Sequence, residues 1–294
     1  MQTDIEFCVL TSFSRVSDLL KSVFNLSGQQ IKKSALSKNF LERPLEARAT
    51  VRLPLSLTNH REIYPLYDGP LPSVIEETSE FVAIHKPAGV HTVSQDYHLD
   101  ANLCSWLASC GRAALLRVNA EAADRGLLWR LDRETSGLIL YAKSDKMYSS
   151  LRENFLTVFR RKYYLAVVEG TSIDQDSLSH ELISYGPRGS IMKVGSPGAV
   201  ATLSYVTLAR KEQRSLLLVK LDTGHRHQIR VQLAHVGHPI VGDILYGGSP
   251  AERLYLHCWR YEVHGRVWQD DEAELFNDFF DLHGLLQVIH DKLI

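Results

Sequence analysis

The chain has 294 residues, of which 45% are hydrophobic and 23% charged, and its formal net charge at pH 7 is −1. This composition is that of an ordinary globular protein, and it excludes a polycation; the length allows one large domain or two modest ones. Four cysteines without close pairs argue against a disulfide framework or a zinc ribbon, and no apolar run or signal peptide is evident, so we expect a cytoplasmic protein.

The charges are unevenly distributed along the chain. Residues 125–162 contain nine Lys or Arg and four Asp or Glu, whereas residues 269–294 contain seven Asp or Glu and one Lys. A basic middle suits a polyanionic partner such as nucleic acid. Random surface patterning would produce the same counts, so charge alone leaves both interpretations open.

Residues 1–74 are predicted to form a separate small N-terminal unit. Apolar residues recur at helical spacing from Val16 to Phe24, and Ser27 is suited to cap a second helix. A strand-like segment follows at 49–55, and the stretch 64–72 is rich in Pro and Gly, as is typical of a linker.

Residues 75–294 are predicted to form the main domain, of the α+β class. Strands are expected at 81–84, 162–170, 201–208, 215–221 and 254–263, with helices near 103–107, 147–155, 229–233 and 279–289. The stretch 171–197 is polar and rich in Gly and Ser, which predicts hairpins or loops. Because the strands come in runs with helices between them, a doubly wound sheet is not expected.

The stretch from Leu128 to Tyr141 is the most informative one for chemistry. Asp132 lies between Arg130 and Arg133, and a Thr-Ser-Gly turn and a strand-like apolar run follow. An acid in this setting is either part of an exposed ion pair or a nucleophile held by cations. The residues by themselves leave both alternatives open.

The segment Arg-Leu-Asp-x-x-Thr-Ser-Gly-Leu at 130–138 resembles the signature of the RluA-type pseudouridine synthases, which isomerise uridine in RNA. Four further segments resemble that family in the same order along the chain. They are Lys-Pro-x-Gly at 86–89, Lys-x-Tyr-x-Ala-x-Val at 162–168, Thr-Gly-x-x-His-Gln-Ile-Arg at 223–230, and 233–247. The resemblance covers about residues 75–265 and implies a core with a mixed, mostly antiparallel sheet bent around a central cleft.

The resemblance implies three catalytic residues that meet in this cleft. Asp132 would be the catalytic carboxylate, which attacks or deprotonates at the ribose–uracil junction. Tyr164 would face the uracil, where its ring could stack on the base and its hydroxyl could take part in proton removal. Arg230 would pair with Asp132, since a guanidinium keeps its proton and suits a carboxylate. Tyr163 should point to the other side of its strand and be structural. Asp243 is expected to bond to backbone.

The resemblance also implies the partner, which is structured RNA of the ribosomal or transfer type. No cofactor and no metal is required for the isomerisation, and we expect a monomer. The residues expected to contact substrate or RNA are Arg130, Arg133, Lys86, Lys162, Arg226, His227 and Gln228. The two predicted helices and the strand of the N-terminal unit resemble an S4-type RNA-binding module, with an unrelated extension packed on the core as the alternative.

Two departures from the family pattern leave a second function open. Trp129 stands where the family usually has His, and His225 stands where it has Arg. Trp129 would pack in the core or stack on RNA. A catalytically inactive RNA-binding protein on the same scaffold is therefore the alternative function. A glycoside hydrolase using Asp132 and Glu134 is disfavoured, because it needs carboxylates on opposite sides of a sugar.

Overall fold

The computed structural model describes residues 4–9, 11–24, 26–54, 57, 67–93, 101–120, 122, 124–153, 161–186, 191–263, 265–272, 276–281, 284–285 and 289. Its helices are α1 Val16–Ser22, α2 Gly28–Lys33, α3 Lys38–Leu41, α4 Leu103–Ser109, α5 Asp145–Glu153 and α6 Gln228–His235. Its strands are β1 Asp4–Cys8, β2 Thr50–Pro54, β3 Ser73–Glu77, β4 Phe81–Lys86, β5 Ser136–Ala142, β6 Arg161–Glu169, β7 Gln175–Tyr185, β8 Ile191–Val194, β9 Ala199–Lys211, β10 Arg214–Leu221, β11 Leu256–Val263 and β12 Arg266–Gln269. Five of the eleven residues of the predicted helix at 279–289, and the start of the predicted linker at 64–72, lie outside the described residues.

The N-terminal segment has an apolar core of its own. Strands β1 and β2 pair in an antiparallel sheet, and side chains from α1, α2 and β2 cluster together. Helix α2 begins with a capping box, in which Ser27 Oγ accepts from Gln30 N at 3.2 Å and Gln30 Oε1 accepts from Ser27 N at 2.8 Å. The predicted cap is therefore confirmed, whereas the S4-like nature of this segment and its boundary at residue 74 stay predictions.

The main sheet is mixed and mostly antiparallel, as expected for the α+β class. Its strand order is β3-β4-β5-β11-β6-β10-β9-β7-β8, with β12 paired to β11. Strands β5 and β11 form the parallel pair, through Ser136 with His257 and Gly137 with Cys258. Gly137 has φ +117°, and a Cβ there would lie 2.3 Å from the Cys258 carbonyl oxygen, so this close approach requires glycine.

Strand β6 shows why the sheet has two buried faces. Tyr164, Ala166 and Val168 belong to the larger core, which also contains β4, β5 and α4. Tyr163, Leu165 and Val167 alternate with them and pack into a second core with Trp259 and Phe276. The prediction that Tyr163 faces away from Tyr164 is confirmed.

The prediction of hairpins or loops at 171–197 is confirmed, because β7 and β8 lie in this stretch and pair as an antiparallel hairpin, from Leu182 with Val194 to Tyr185 with Ile191. Strand β7 runs for 11 residues, and most of its side chains are exposed or half-buried, with Leu178 and Leu182 as its buried apolar residues. A strand near the edge of the sheet needs few apolar residues, so its sequence is polar. Among the described helices, none is long and apolar enough to cross a bilayer.

Candidate active site

Asp132 lies in a short loop that leads into β5, and the backbone on both sides of it is held in place. Thr92 Oγ1 accepts from Leu131 N at 3.1 Å and donates to Leu131 O at 2.7 Å. On the other side, Arg133 O accepts from Gly89 N at 2.8 Å and from Lys86 Nζ at 3.1 Å. The Asp132 side chain is 21% exposed, so a carboxylate is presented to solvent from a fixed backbone.

The loop forms one wall of a cavity of about 790 Å³, the cleft, whose lining includes Asp132, Tyr164, His227 and Arg230. These side chains come from the β5 loop, β6 and the start of α6, which are far apart in sequence. The three residues that the resemblance predicts as catalytic are therefore brought together.

Arg230 connects three carboxylates at the floor of the cleft. Its Nε and Nη2 donate to the two oxygens of Asp243 at 2.7 and 2.8 Å. Its Nη1 lies 3.3 Å from Asp132 Oδ2 and 3.4 Å from Glu134 Oε2. Burial disfavours the charged guanidinium, but the hydrogen bonds and charge of Asp243 outweigh it and raise the pKa of Arg230 above its ordinary value.

The expectation that Asp243 bonds to backbone was wrong. Its side chain is fully buried and forms the bidentate pair with Arg230. A buried carboxylate needs a paired cation, and Arg230 is 13 residues away along the chain. Asp243 therefore fixes the orientation of the guanidinium, which presents Nη1 to Asp132.

Tyr164 forms a buried aromatic wall of the cleft together with Tyr261 and Trp129. The Tyr164 and Tyr261 hydroxyl oxygens are 3.2 Å apart, and the Trp129 ring stacks on Tyr261 with centroids 3.9 Å apart. Burial, followed by the neighbouring Cys258, raises the pKa of Tyr164 well above 10. The phenol is therefore neutral at physiological pH. Trp129 packs on protein and lines the cleft as well.

His227 immediately precedes helix α6, and Gln228 is its first residue. His227 adopts a left-handed backbone conformation with φ +53°, and its Nε2 lies 3.9 Å from Asp132 Oδ2. The Gln228 amide is used inside the protein, where Oε1 accepts from Thr223 Oγ1 and His225 N and Nε2 donates to Thr202 O. Gln228 thus shapes the turn that places His227 and Arg230.

The predicted cations fall into two groups. Arg130, Arg133 and Arg226 are exposed and line the cleft. Lys162 also lines the cleft but is buried, and burial lowers its pKa.

Lys86 is fully buried and lies outside the cleft lining. Its Nζ donates to the carbonyl oxygens of Pro87, Val90 and Arg133 at 3.0, 2.7 and 3.1 Å, and burial lowers its pKa to about 7. An ammonium has three donors, and all three are used within the protein. Among the described residues, no group of three or more His, Cys, Asp or Glu side chains could hold a metal ion.

Comparison with known proteins identifies a family and several relatives. Residues 80–235 match the family described as RNA pseudouridylate synthase. An uncharacterized RNA pseudouridine synthase of Helicobacter pylori is 30% identical over 197 residues, which are 66% of this chain and 72% of the relative. A ribosomal large subunit pseudouridine synthase D of Xylella fastidiosa is 36% identical over 62% of this chain and 53% of its own length.

Solved structures show the same fold. Human RNA pseudouridylate synthase domain containing 4 superposes with a TM-score of 0.55 at 21% identity, covering 72% of this chain and 92% of the human chain. The family match spans more than half of the chain, and the sheet, the cleft and the relatives agree with it. The chain belongs to the RluA-type family of RNA pseudouridine synthases, which are isomerases.

Proposed function

We propose that this chain converts a specific uridine of structured ribosomal or transfer RNA to pseudouridine, with Asp132 as the catalytic carboxylate. The observation that carries the proposal is the meeting of Asp132, Arg230 and Tyr164 in one cleft with arginines at its rim. Ribosomal RNA is favoured, because several relatives are named for the large ribosomal subunit.

The reaction needs one ionised carboxylate near the sugar–base junction. The N1–C1′ bond breaks, the base turns, C5 bonds to C1′, and the proton on C5 is lost while N1 gains one. Asp132 Oδ2 faces Arg230, whereas Oδ1 has no hydrogen-bond partner among the described residues. Oδ1 is therefore the oxygen that attacks C1′ or removes the proton from C2′.

Tyr164 supports the turning base through its ring. A phenol with a pKa well above 10 is a poor base at neutral pH, so packing against the uracil face is the role that its environment favours. Arg130, Arg133 and Arg226 are exposed at the cleft and suited to hold the phosphates that flank a flipped uridine. Lys162 lies deeper in the same lining.

Lys86 and Gln228 are better assigned to shaping the site than to touching RNA, because their polar groups are used within the protein. The inactive-scaffold alternative has no observation in its favour among the described residues. The hydrolase alternative is opposed by geometry, since Asp132 and Glu134 contact the same Arg230 Nη1 atom instead of facing each other across a sugar. The cytoplasmic location and the monomeric state stay predictions.

The test is a pseudouridine map of ribosomal and transfer RNA from cells with and without the gene, combined with tritium release from transcripts labelled at uridine C5. One or more sites should disappear from the map, and the purified chain should restore them. The proposal would be contradicted if the deletion strain kept every pseudouridine and the purified chain released no tritium from the labelled transcripts.

Asp132→Asn tests the residue assignment. It should abolish turnover while RNA affinity changes little, because phosphate contacts supply most of the affinity. Glu134→Gln is the matched control, since it removes the other carboxylate on Arg230 Nη1 but should leave most of the activity. Turnover that survives in Asp132→Asn would refute the assignment.

A further inference from the structure

Among the described contacts, Arg230 holds the Asp132 carboxylate by one hydrogen bond, from Nη1 to Oδ2. Its Nε and Nη2 are bound to Asp243, and its Nη1 is divided between Asp132 Oδ2 and Glu134 Oε2. A carboxylate held at one oxygen by one donor can still rotate about its Cβ–Cγ bond. A reactive Oδ1 needs a fixed direction, because small misplacements of a catalytic group are costly.

His227 lies where a second donor to the same oxygen would be placed. Its Nε2 is 3.9 Å from Asp132 Oδ2, the atom that Arg230 also approaches. A movement of less than 1 Å would bring this contact to hydrogen-bonding distance, and apo active sites often tighten in this way when substrate binds.

The other side of the ring determines which nitrogen carries the proton. Met192 N donates to the Tyr246 hydroxyl at 3.0 Å, and that hydroxyl lies 2.9 Å from His227 Nδ1. Since the Tyr246 oxygen already accepts from a backbone N–H, its own proton is free to go to Nδ1. The neutral ring then has an unprotonated Nδ1 and a proton on Nε2, directed to Asp132.

The surroundings keep this ring neutral. Burial lowers the pKa of His227, and Arg230 and Arg226 lower it further, against the opposite effect of Asp132 and Glu134. Tyr246 also packs edge-on against the His227 ring at 5.7 Å between centroids. The ring orientation is thus fixed from the side away from Asp132.

We propose that His227 is a positioning residue that donates Nε2–H to Asp132 Oδ2, so that Oδ1 points to the ribose, with Tyr246 and the Met192 N–H selecting the required tautomer. This role differs from a contact with RNA, because both ring nitrogens face protein groups. It rests on the proposed function of Asp132, and it adds the residue that orients it.

The first experiment measures the tautomer directly. Nitrogen-15 NMR of protein labelled at histidine, with the His227 signals assigned by their loss in His227→Gln, should show Nε2 protonated and Nδ1 unprotonated at neutral pH. Tyr246→Phe should produce a mixture of tautomers. A protonated Nδ1 in the unaltered protein, or no change in Tyr246→Phe, would overturn the proposal.

The second experiment uses two amide variants as a matched pair. Gln extends its amide nitrogen toward the position of Nε2, whereas Asn reaches only that of Nδ1. A hydrogen bond to a charged group affects a rate by about 10- to 100-fold, and we expect this loss of kcat in His227→Asn with KM and RNA affinity unchanged. His227→Gln should retain most of the activity.

Equal losses in the two variants would overturn the positioning role, provided that both unfold at the same urea concentration as the unaltered protein. If either variant is destabilised, Tyr246→Phe provides the same kinetic test, with an expected loss in kcat and not in KM. A chain that modifies no RNA at all would instead reject the proposed function, and the NMR result would still decide the tautomer.

Discussion

Replacement of Asp243 by Asn should lower both the free energy of unfolding and the rate of catalysis, because it removes the main carboxylate partner of the Arg230 guanidinium. The Asp243 side chain is 0% exposed and that of Arg230 is 5% exposed, so water cannot replace the lost carboxylate. Breaking a buried pair from one side costs about 3–5 kcal/mol. We expect the low end, about 3 kcal/mol, because Nη1 still meets Asp132 and Glu134.

The catalytic effect follows from the loss of the two-bond clamp. Without the Asp243 charge, the guanidinium is drawn toward Asp132 and Glu134, and its position is no longer set by a rigid bidentate pair. A displacement of about 1 Å in a catalytic group can cost about 100-fold in rate, and we expect a loss in kcat of this order.

Urea unfolding and tritium release from labelled RNA measure the two effects separately. Glu134→Gln is the control, since its carboxylate is 50% exposed and touches the same guanidinium, and it should cost less than about 1 kcal/mol. The reasoning is refuted if Asp243→Asn is as stable and as active as the unaltered protein, or if Glu134→Gln is equally damaging.

Two further predictions concern buried side chains near the cleft. Tyr261→Phe keeps the ring that stacks on Trp129 but removes the hydroxyl at 3.2 Å from Tyr164. We expect kcat to fall about fivefold, equivalent to about 1 kcal/mol, with unchanged RNA affinity. An unchanged kcat would count against a role for that contact. Burial lowers the pKa of His257 from 6.5 to about 4, so the unfolded chain binds one more proton between these values and stability should fall by about 3 kcal/mol as pH drops from 6.5 to 4. Urea titrations across that range should show a shallower loss in His257→Gln, and an identical slope would refute this.

Local signals made several elements predictable. Helix α2 begins after Ser27 because a serine followed three residues later by glutamine satisfies two backbone donors in one turn. Strand β6 was predictable because it is buried on both faces and its sequence is a continuous apolar run. The hairpin of β7 and β8 was predictable only without its strand bounds, because β7 lies near the sheet edge and carries few apolar residues.

The site was predictable only in part, because its geometry depends on contacts across the sheet. Asp132, Tyr164 and Arg230 could be named from motifs, and the structure brings them into one cleft. Tyr261 carries no local signal, since a tyrosine in a strand is ordinarily a packing residue. Its hydroxyl reaches Tyr164 because β11 and β6 are neighbours, which the sequence does not show.

A family motif contains both residues that touch the substrate and residues that build the site. The two kinds differ in whether their polar atoms already have hydrogen-bond partners within the protein. Lys86 Nζ lies within 3.1 Å of three carbonyl oxygens, of the turn and of the Asp132 loop, so a phosphate would have to displace one of these contacts. Asp132 differs, because Oδ2 is held and Oδ1 has no hydrogen-bond partner among the described residues. An oxygen without a hydrogen-bond partner, in a carboxylate whose other oxygen is bound, is available for chemistry. This is why we place the reaction at Oδ1 and assign Lys86 to support of the loop behind it.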